Sequence, residues 1–162
     1  PFVSVVQGRV ENGGLELALA SDVCIAADDA SFAFEEIRYG TYPIGGGLFR
    51  FIRAAGWSSA MRYALTGDSF DAQSALRMQL VAEVHPRREA EVIALELARR
   101  ISQSAPLALR AAIAHARAWA EGGEGAALAR SIPDTLELLQ SRDVAEALQA
   151  MSESRAPRFT GQ

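Results

Sequence analysis

Short apolar runs, separated by turns rich in glycine and aspartate, dominate the first part of the chain. Phe2–Val6 and Val23–Ala27 have the length and composition of strands buried on both faces. Ser31–Phe34 predicts a third, shorter strand. Between the first two runs, the turn Asn12–Gly14 leads into an apolar segment that predicts a helix over Gly13–Ala20. This order of elements predicts a layered α/β fold built from a repeating ββα unit.

The middle of the chain alternates a glycine-rich loop with short helices. The loop runs from Glu35 to Gly47 and ends in three consecutive glycines, which free the backbone before the next helix. Asp71 is a favourable N-cap residue for a helix that follows it. The pattern predicts these further elements: helices over Leu48–Ala55, Trp57–Leu65 and Ala72–Met78, and a strand over Leu80–Val84.

The rest of the chain is helical by pattern. Apolar residues within 90–101 recur at spacings of three and four, which is typical of an amphipathic helix. Ser104, with Pro106 in the first turn, predicts a second helix that extends to about Ala120.

A glycine-rich loop at residues 122–125 is expected to separate that helix from the next. The following helix, Ala126–Gln140, contains Pro133 and should bend or restart there. Asp143 and Glu146 have the spacing of a capping box for a last helix. We therefore divide the chain into two parts: residues 1–86, the C-terminal portion of an α/β core, and residues 87–162, a helical region.

Composition narrows the classes of function. The 162 residues carry a net charge of −4 and no lysine, which disfavours nucleic-acid binding and excludes lysine Schiff-base and P-loop chemistry within this sequence. No apolar run is long enough for a membrane span. Cys24, the only cysteine, lies in an apolar run and forms no internal disulfide, so we expect a cytoplasmic protein. His85 and His115 lack the spacing of metal ligands, and no metal site is predicted.

Two carboxylates accompany the two glycine-rich helix starts. Glu16 follows Gly13 by three residues, and a second carboxylate, from the adjacent Glu35 and Glu36, precedes the glycine run Gly45–Gly47. Backbone N–H groups at a helix start attract negative charge, and paired carboxylates suit general acid–base chemistry on a polarised carbonyl. On these residues alone, a tight turn before a core helix with a solvated Glu16 explains the first motif equally well.

Several short motifs, spread in a fixed order along nearly the whole chain, are together more specific than either glycine-rich motif alone. They are GGLELALASD at 13–22, the stretch 32–47 ending in YPIGGG, ALTGD at 64–68, DAQSAL at 71–76, LVAEV at 80–84 and RAPRFTG at 155–161. In this order they resemble the enoyl-CoA hydratase/isomerase family, also called the crotonase superfamily. The resemblance implies a ClpP/crotonase-like ββα spiral followed by a C-terminal helical trimerisation region, and a homotrimer or a dimer of trimers. It also implies that this sequence is the C-terminal part of a longer protein.

The resemblance implies an acyl-CoA substrate and assigns roles to three residues. Gly13 would donate one of two N–H bonds to the thioester oxygen, the second donor coming from an N-terminal portion that this sequence lacks. Glu16 and Glu36 would be the catalytic acid and base, and the presence of both favours hydration of an enoyl-CoA. An isomerase, which needs only one carboxylate, and a non-catalytic acyl-CoA-binding or assembly subunit remain alternatives. Coenzyme A arrives as part of the substrate, and no cofactor is implied.

Three positions depart from the pattern of the family. Ile44 stands after Pro43 where the family commonly has glycine, and is expected either to narrow the acyl pocket or to displace the bound water. Met151 and Ser154 stand where the family often has an aromatic residue and a lysine that contact coenzyme A. Arg155 could still meet a phosphate group. The turn itself reads Val-Glu-Asn-Gly at 10–13, where the family often has Ala-x-Gly-Gly.

Overall fold

A computed structural model describes all residues from 1 to 162. The chain forms two compact units, one of Phe2–Glu96 and the other of Leu97–Gln162 together with Pro1. The division at residue 86 that the sequence pattern predicts stays a prediction. No helix combines the length and apolar character that a bilayer span requires.

Six strands, seven α-helices and one 3-10 helix make up the fold. The strands are β1 (Val3–Val6), β2 (Arg9–Glu11), β3 (Val23–Ala27), β4 (Ser31–Ala33), β5 (Phe70–Asp71) and β6 (Glu83–His85). The α-helices are α1 (Gly13–Ala20), α2 (Gly47–Ala55), α3 (Trp57–Thr66), α4 (Ala72–Arg77), α5 (Arg87–Ser102), α6 (Pro106–Leu139) and α7 (Arg142–Ser152). The 3-10 helix is Glu35–Tyr39.

Two small sheets organise the unit Phe2–Glu96. In the first, β1, β3 and β6 are parallel in that order, with Val3 opposite Val23 and Ala26 opposite Val84. In the second, β2 is parallel to β4, and β5 pairs with β4 in antiparallel orientation. Because parallel neighbours need a crossover, the helix α1 between β1 and β3 follows directly from this topology.

The strands β2 and β5 were not among the predicted elements, and β6 was misplaced. β2 has three residues and β5 has two, so neither carries a hydrophobic period that a sequence pattern could detect. The predicted strand over Leu80–Val84 is wrong in its first half, because Leu80 and Val81 are buried in the turn after α4 and pairing begins at Glu83. The predicted N-cap Asp71 is confirmed, since its Oδ1 accepts the Ser74 N–H at 2.8 Å.

An aromatic cluster forms the core beneath the second sheet. The rings of Phe32 and Phe70 stack with centroids 5.5 Å apart, and Phe51 and Tyr63 lie 5.7 Å and 4.6 Å from the Phe70 ring. Phe34 packs on Phe51 at 5.9 Å. Each such pair contributes about 0.5–1.5 kcal/mol beyond its burial. The cluster joins β4 and β5 to α2 and α3 and so fixes both ends of the segment 35–46.

In the unit Leu97–Gln162, three sequence expectations have different outcomes. The predicted break is confirmed at Gly123, whose φ of 74° interrupts α6, whereas the chain stays helical through Pro133. The predicted capping box is wrong: the Ser141 hydroxyl caps α7 by accepting the Val144 N–H at 3.2 Å. Asp143 is buried instead, and its carboxylate accepts N–H bonds from Thr160 and Gly161 in the C-terminal tail.

Candidate active site

The turn before α1 presents exposed backbone at the start of a helix. Gly13 and Gly14 are exposed, and a Cβ added to either would meet no atom within 4 Å. The N–H of Gly13 stands in the first turn, where a helix supplies no backbone acceptor of its own. The position that the sequence predicts for an oxyanion donor is therefore open and carries the partial positive charge of a helix start.

Glu16 lies one turn into α1 and connects it to α2. Its Oε1 accepts the N–H of Gly47 at 2.9 Å, which places the carboxylate at the positive end of α2. A Cβ on Gly45 would lie 2.5 Å from Glu16 Oε2, and a Cβ on Gly47 would lie 2.6 Å from Glu16 Cγ. The glycine run therefore makes room for this side chain, and the carboxylate is held by a backbone donor.

Glu36 lies on the 3-10 helix Glu35–Tyr39, within a segment that the sequence pattern predicted as a loop without regular structure. Its Oε2 atom is buried and has no hydrogen-bond partner. Burial raises the pKa of the Glu36 carboxyl, and the charges of Glu16 and Glu35 raise it further, while a hydrogen bond from its own backbone opposes the shift. The structure thus brings both predicted carboxylates close enough to interact electrostatically, and the pKa of Glu36 is raised above its ordinary value.

Two neighbours of these carboxylates were missed by the sequence reasoning. Asn12 Oδ1 accepts the N–H of Glu35 at 2.9 Å, so it links the turn before α1 to the 3-10 helix. Glu35, which was given no role, forms ion pairs with Arg38 at 3.6 Å and Arg9 at 3.8 Å. The only feature of the sequence that singles out Asn12 is that it stands where the family often has glycine.

Ile44 borders an open apolar groove on the other side of the glycine run. Its side chain is 80% exposed. The groove has a volume of about 570 Å³ and is lined by Tyr42, Pro43, Ile44, Gly45, Gly46, Leu48, Phe49 and Ile52. Gly45 lines this groove, and a Cβ added to it would lie 2.5 Å from Glu16 Oε2, so the apolar surface begins beside the Glu16 carboxylate.

Met151 and Arg155 belong to the unit Leu97–Gln162. Met151 is 73% exposed near the end of α7. The Arg155 guanidinium bonds Glu146 at 2.5 Å and Glu153 at 2.5 Å, and both carboxylates raise its pKa. Any phosphate that meets Arg155 would have to compete with two carboxylates already bound to it. Contact of either residue with coenzyme A stays a prediction.

The arrangement in the unit Phe2–Glu96 is suited to proton transfer. One carboxylate is fixed by a backbone N–H, a second is desolvated, and an exposed helix start lies three residues before the first. No group of three or more His, Cys, Asp or Glu side chains is placed to hold a metal ion. The residues can move a proton and stabilise a negative oxygen, which are the two requirements of chemistry next to a carbonyl.

Comparison with known proteins places this site in a family context. The sequence profile described as enoyl-CoA hydratase/isomerase matches residues 1–162. The chain is 36% identical over 161 residues to a 2,3-dehydroadipyl-CoA hydratase of Escherichia coli K12, covering 99% of this chain and 63% of that protein. It is 38% identical over 168 residues to an enoyl-CoA isomerase/hydratase of Mycosarcoma maydis, covering 99% of this chain and 59% of that protein.

A solved structure shows the same fold. The crystal structure of a probable enoyl-CoA hydratase/isomerase from Mycobacterium abscessus superposes with a TM-score of 0.97 at 40% identity, over 100% of this chain and 63% of the other. The chain therefore spans about three fifths of the length of the relatives it matches. The likeness confirms the predicted α/β crotonase-like fold, and the family expected from the motifs is confirmed with it. The chain belongs to the enoyl-CoA hydratase/isomerase family.

Proposed function

We propose that the whole protein hydrates an enoyl-CoA thioester, adding water across the α,β double bond. The observation that carries this proposal is the pair of carboxylates with unequal environments. Glu16 is held by the Gly47 N–H, whereas Glu36 is desolvated, has an unpartnered buried oxygen, and has a raised pKa. When two neighbouring carboxyl groups have such different environments, one is suited to the acid role and the other to the base role.

The roles follow from these environments. Glu16, which accepts the Gly47 N–H and lies at the positive end of α2, takes a proton from the attacking water. Hydroxide oxygen bonds the β-carbon as the double-bond electrons move toward the thioester carbonyl. Glu36, whose carboxyl has a raised pKa, delivers its proton to the α-carbon. The proton on Glu16 then returns to Glu36, so the net addition is one water.

Gly13 supports the same step from the backbone. Negative charge develops on the thioester oxygen, and the N–H of Gly13 is proposed to donate to it. Loss of one such donor costs about 3–4 kcal/mol in the barrier. We assign the second donor to protein outside these 162 residues.

The remaining assignments belong to the same proposal. Ile44 and its apolar groove would receive the acyl portion, while Met151 and Arg155 would contact the coenzyme A portion. The substrate would bring coenzyme A with it, so no further cofactor is invoked. Assembly as a homotrimer or as two stacked trimers, and a cytoplasmic location, are also proposed from the family resemblance.

An isomerase is the nearest alternative, and the Mycosarcoma maydis relative is named for both reactions. Isomerisation moves a proton between two carbons and needs one carboxylate, whereas hydration needs both to handle one water. Glu16→Gln would therefore leave isomerisation nearly intact and abolish hydration. Glu36→Gln would abolish both.

The test is the loss of enoyl thioester absorbance when the full-length protein is mixed with crotonyl-CoA. Glu16→Gln and Glu36→Gln are each expected to lower kcat by roughly 10²–10⁴-fold. Glu11→Gln is the matched control, because Glu11 is a carboxylate near the same turn whose partner is Arg9. Retained turnover in either catalytic variant contradicts the hydratase assignment. Thioester binding without hydration by the wild type contradicts hydration of crotonyl-CoA and favours another acyl-chain specificity, the isomerase or the non-catalytic alternative.

A further inference from the structure

We propose that Asn12 is a positioning residue that locks the segment carrying Glu36 to the turn carrying Gly13. This inference rests on the proposed function for its kinetic consequences. Its structural basis is the set of three hydrogen bonds that Asn12 makes to three different segments.

The backbone of Asn12 has a conformation that few side chains adopt. Its φ is 51° and its ψ is −122°, a region that glycine enters freely and other residues enter only under strain. Glycine is also what the family often has at this place in the turn. Asn12 therefore carries a local conformational cost that glycine would not. A contact made by its side chain is expected to offset that cost.

The backbone of Asn12 already joins two elements. Its N–H donates to Ala33 O at 3.1 Å, at the end of β4, and its carbonyl accepts the N–H of Glu16 at 2.9 Å. A glycine would make both of these bonds equally well. They set the direction in which the next residue, Gly13, presents its N–H.

The side chain adds the third bond, which glycine cannot make. Asn12 Oδ1 accepts the N–H of Glu35 at 2.9 Å, and Glu35 is the first residue of the 3-10 helix. The N-cap residue of that helix, Phe34, makes no capping bond with its side chain. Asn12 therefore caps the helix from a segment 23 residues earlier in the chain. Glu36 is the next residue, so this bond sets where its carboxyl stands relative to Glu16 and Gly13.

The charge environment explains why an amide suits this position. Glu36 shares its surroundings with the carboxylates of Glu16 and Glu35, and the nearby cations Arg9 and Arg38 pair with Glu35. An aspartate at position 12 would retain the acceptor but add a further negative charge beside these groups. The amide supplies an acceptor oxygen without changing the charge.

The experiment uses the full-length protein with Asn12→Gly and Asn12→Asp. Gln79→Gly is the matched control, because Gln79 is also a non-glycine residue at positive φ (59°) and is exposed on the turn after α4. Two readouts are taken: hydrogen exchange of the Glu35 amide, which needs no activity, and kcat and KM for crotonyl-CoA.

Asn12→Gly is expected to lose protection of the Glu35 amide and to lower kcat roughly 10- to 100-fold, with KM changed less than about threefold and no loss of melting temperature. Asn12→Asp is expected to keep the protection and to move the acid limb of the pH–rate profile upward. Gln79→Gly should leave both readouts as in the wild type.

Wild-type protection of Glu35 in Asn12→Gly overturns the proposal, and so does a parallel loss of stability, kcat and substrate affinity, which a purely structural cap would produce. A wild-type protein that does not hydrate crotonyl-CoA refutes the proposed function alone. In that event, hydrogen exchange of the Glu35 amide in Asn12→Gly decides the positioning role: lost protection supports it, and wild-type protection overturns it.

Discussion

Replacing Gly45 with alanine tests whether the glycine run exists to admit the Glu16 carboxylate. The added Cβ would lie 2.5 Å from Glu16 Oε2 and 3.0 Å from its Cδ, whereas ordinary contact begins at 3.4 Å. Gly45 does not have a positive φ, so alanine introduces no backbone strain. The conflict is therefore confined to one carboxylate, which must move by about 0.9 Å to restore ordinary contact.

A displacement of that size should lower the reaction rate strongly but change the free energy of unfolding little. Glu16 would leave its 2.9 Å bond with the Gly47 N–H, and misplacement of a reacting group by about 1 Å costs on the order of 10²-fold in rate. Stability should change by less than about 1 kcal/mol, because the displaced atoms are the end of a side chain that is not fully buried.

The assay combines steady-state hydration with denaturant unfolding of the full-length protein. Gly47→Ala serves as a contrast, because its Cβ would meet both Glu16 Cγ at 2.6 Å and the core ring of Phe34 at 2.7 Å. It should lose activity and also about 1–3 kcal/mol of stability through overpacking. Gly125→Ala, where the added Cβ meets nothing within 4 Å, is the control for activity and should keep the wild-type kcat. Because Gly125 lies within α6, alanine there is expected to raise stability by up to about 1 kcal/mol. Wild-type kcat in Gly45→Ala would refute the geometric reasoning.

Three further predictions concern stability. Glu36→Gln should raise the free energy of unfolding at neutral pH, because it removes a partly desolvated charge. Since the folded pKa is raised, the gain appears as pH rises from about 4.3 through the folded pKa, and unfolding curves without that trend would contradict it. Phe51→Ala should cost about 3–5 kcal/mol in urea unfolding, because its fully buried ring contacts three other aromatic rings. The Arg155 hydrogen bond and the Arg158 N–H lower the pKa of Glu146 to about 2, so the stability from this contact is present above pH 4.5 and lost as pH falls toward 2. Glu146→Gln should abolish that contribution, which melting temperatures across this pH range would show.

Local signals in the sequence predicted local structure well. The helix Gly13–Ala20 and the strand Val23–Ala27 were predicted with the bounds they have, because an apolar run between turn residues is enough to specify each. The Asp71 cap was predicted for the same reason, since donor and acceptor are three residues apart.

Local signals failed where contacts between distant segments determine the structure. Asp143 has the spacing of a capping residue, but the tail at 160–161 binds its carboxylate and Ser141 caps the helix instead. The strands β2 and β5 exist because β4 lies between them, which no short window of sequence reveals. The identities of Glu16 and Glu36 came from the family resemblance. The burial of Glu36 Oε2 and the hydrogen bond from the Glu35 N–H to Asn12 depend on packing between segments distant in sequence, 23 residues apart for the hydrogen bond.

The central claim is that two unequal carboxylates add water to an enoyl thioester. The most direct measurement is the rate of crotonyl-CoA hydration by full-length Glu36→Gln relative to the wild type at saturating substrate. Glu36→Gln is expected to lower this rate roughly 10²–10⁴-fold while the protein stays folded. A rate within about threefold of the wild type would show that Glu36 does not deliver the proton, and the account of the site would be wrong.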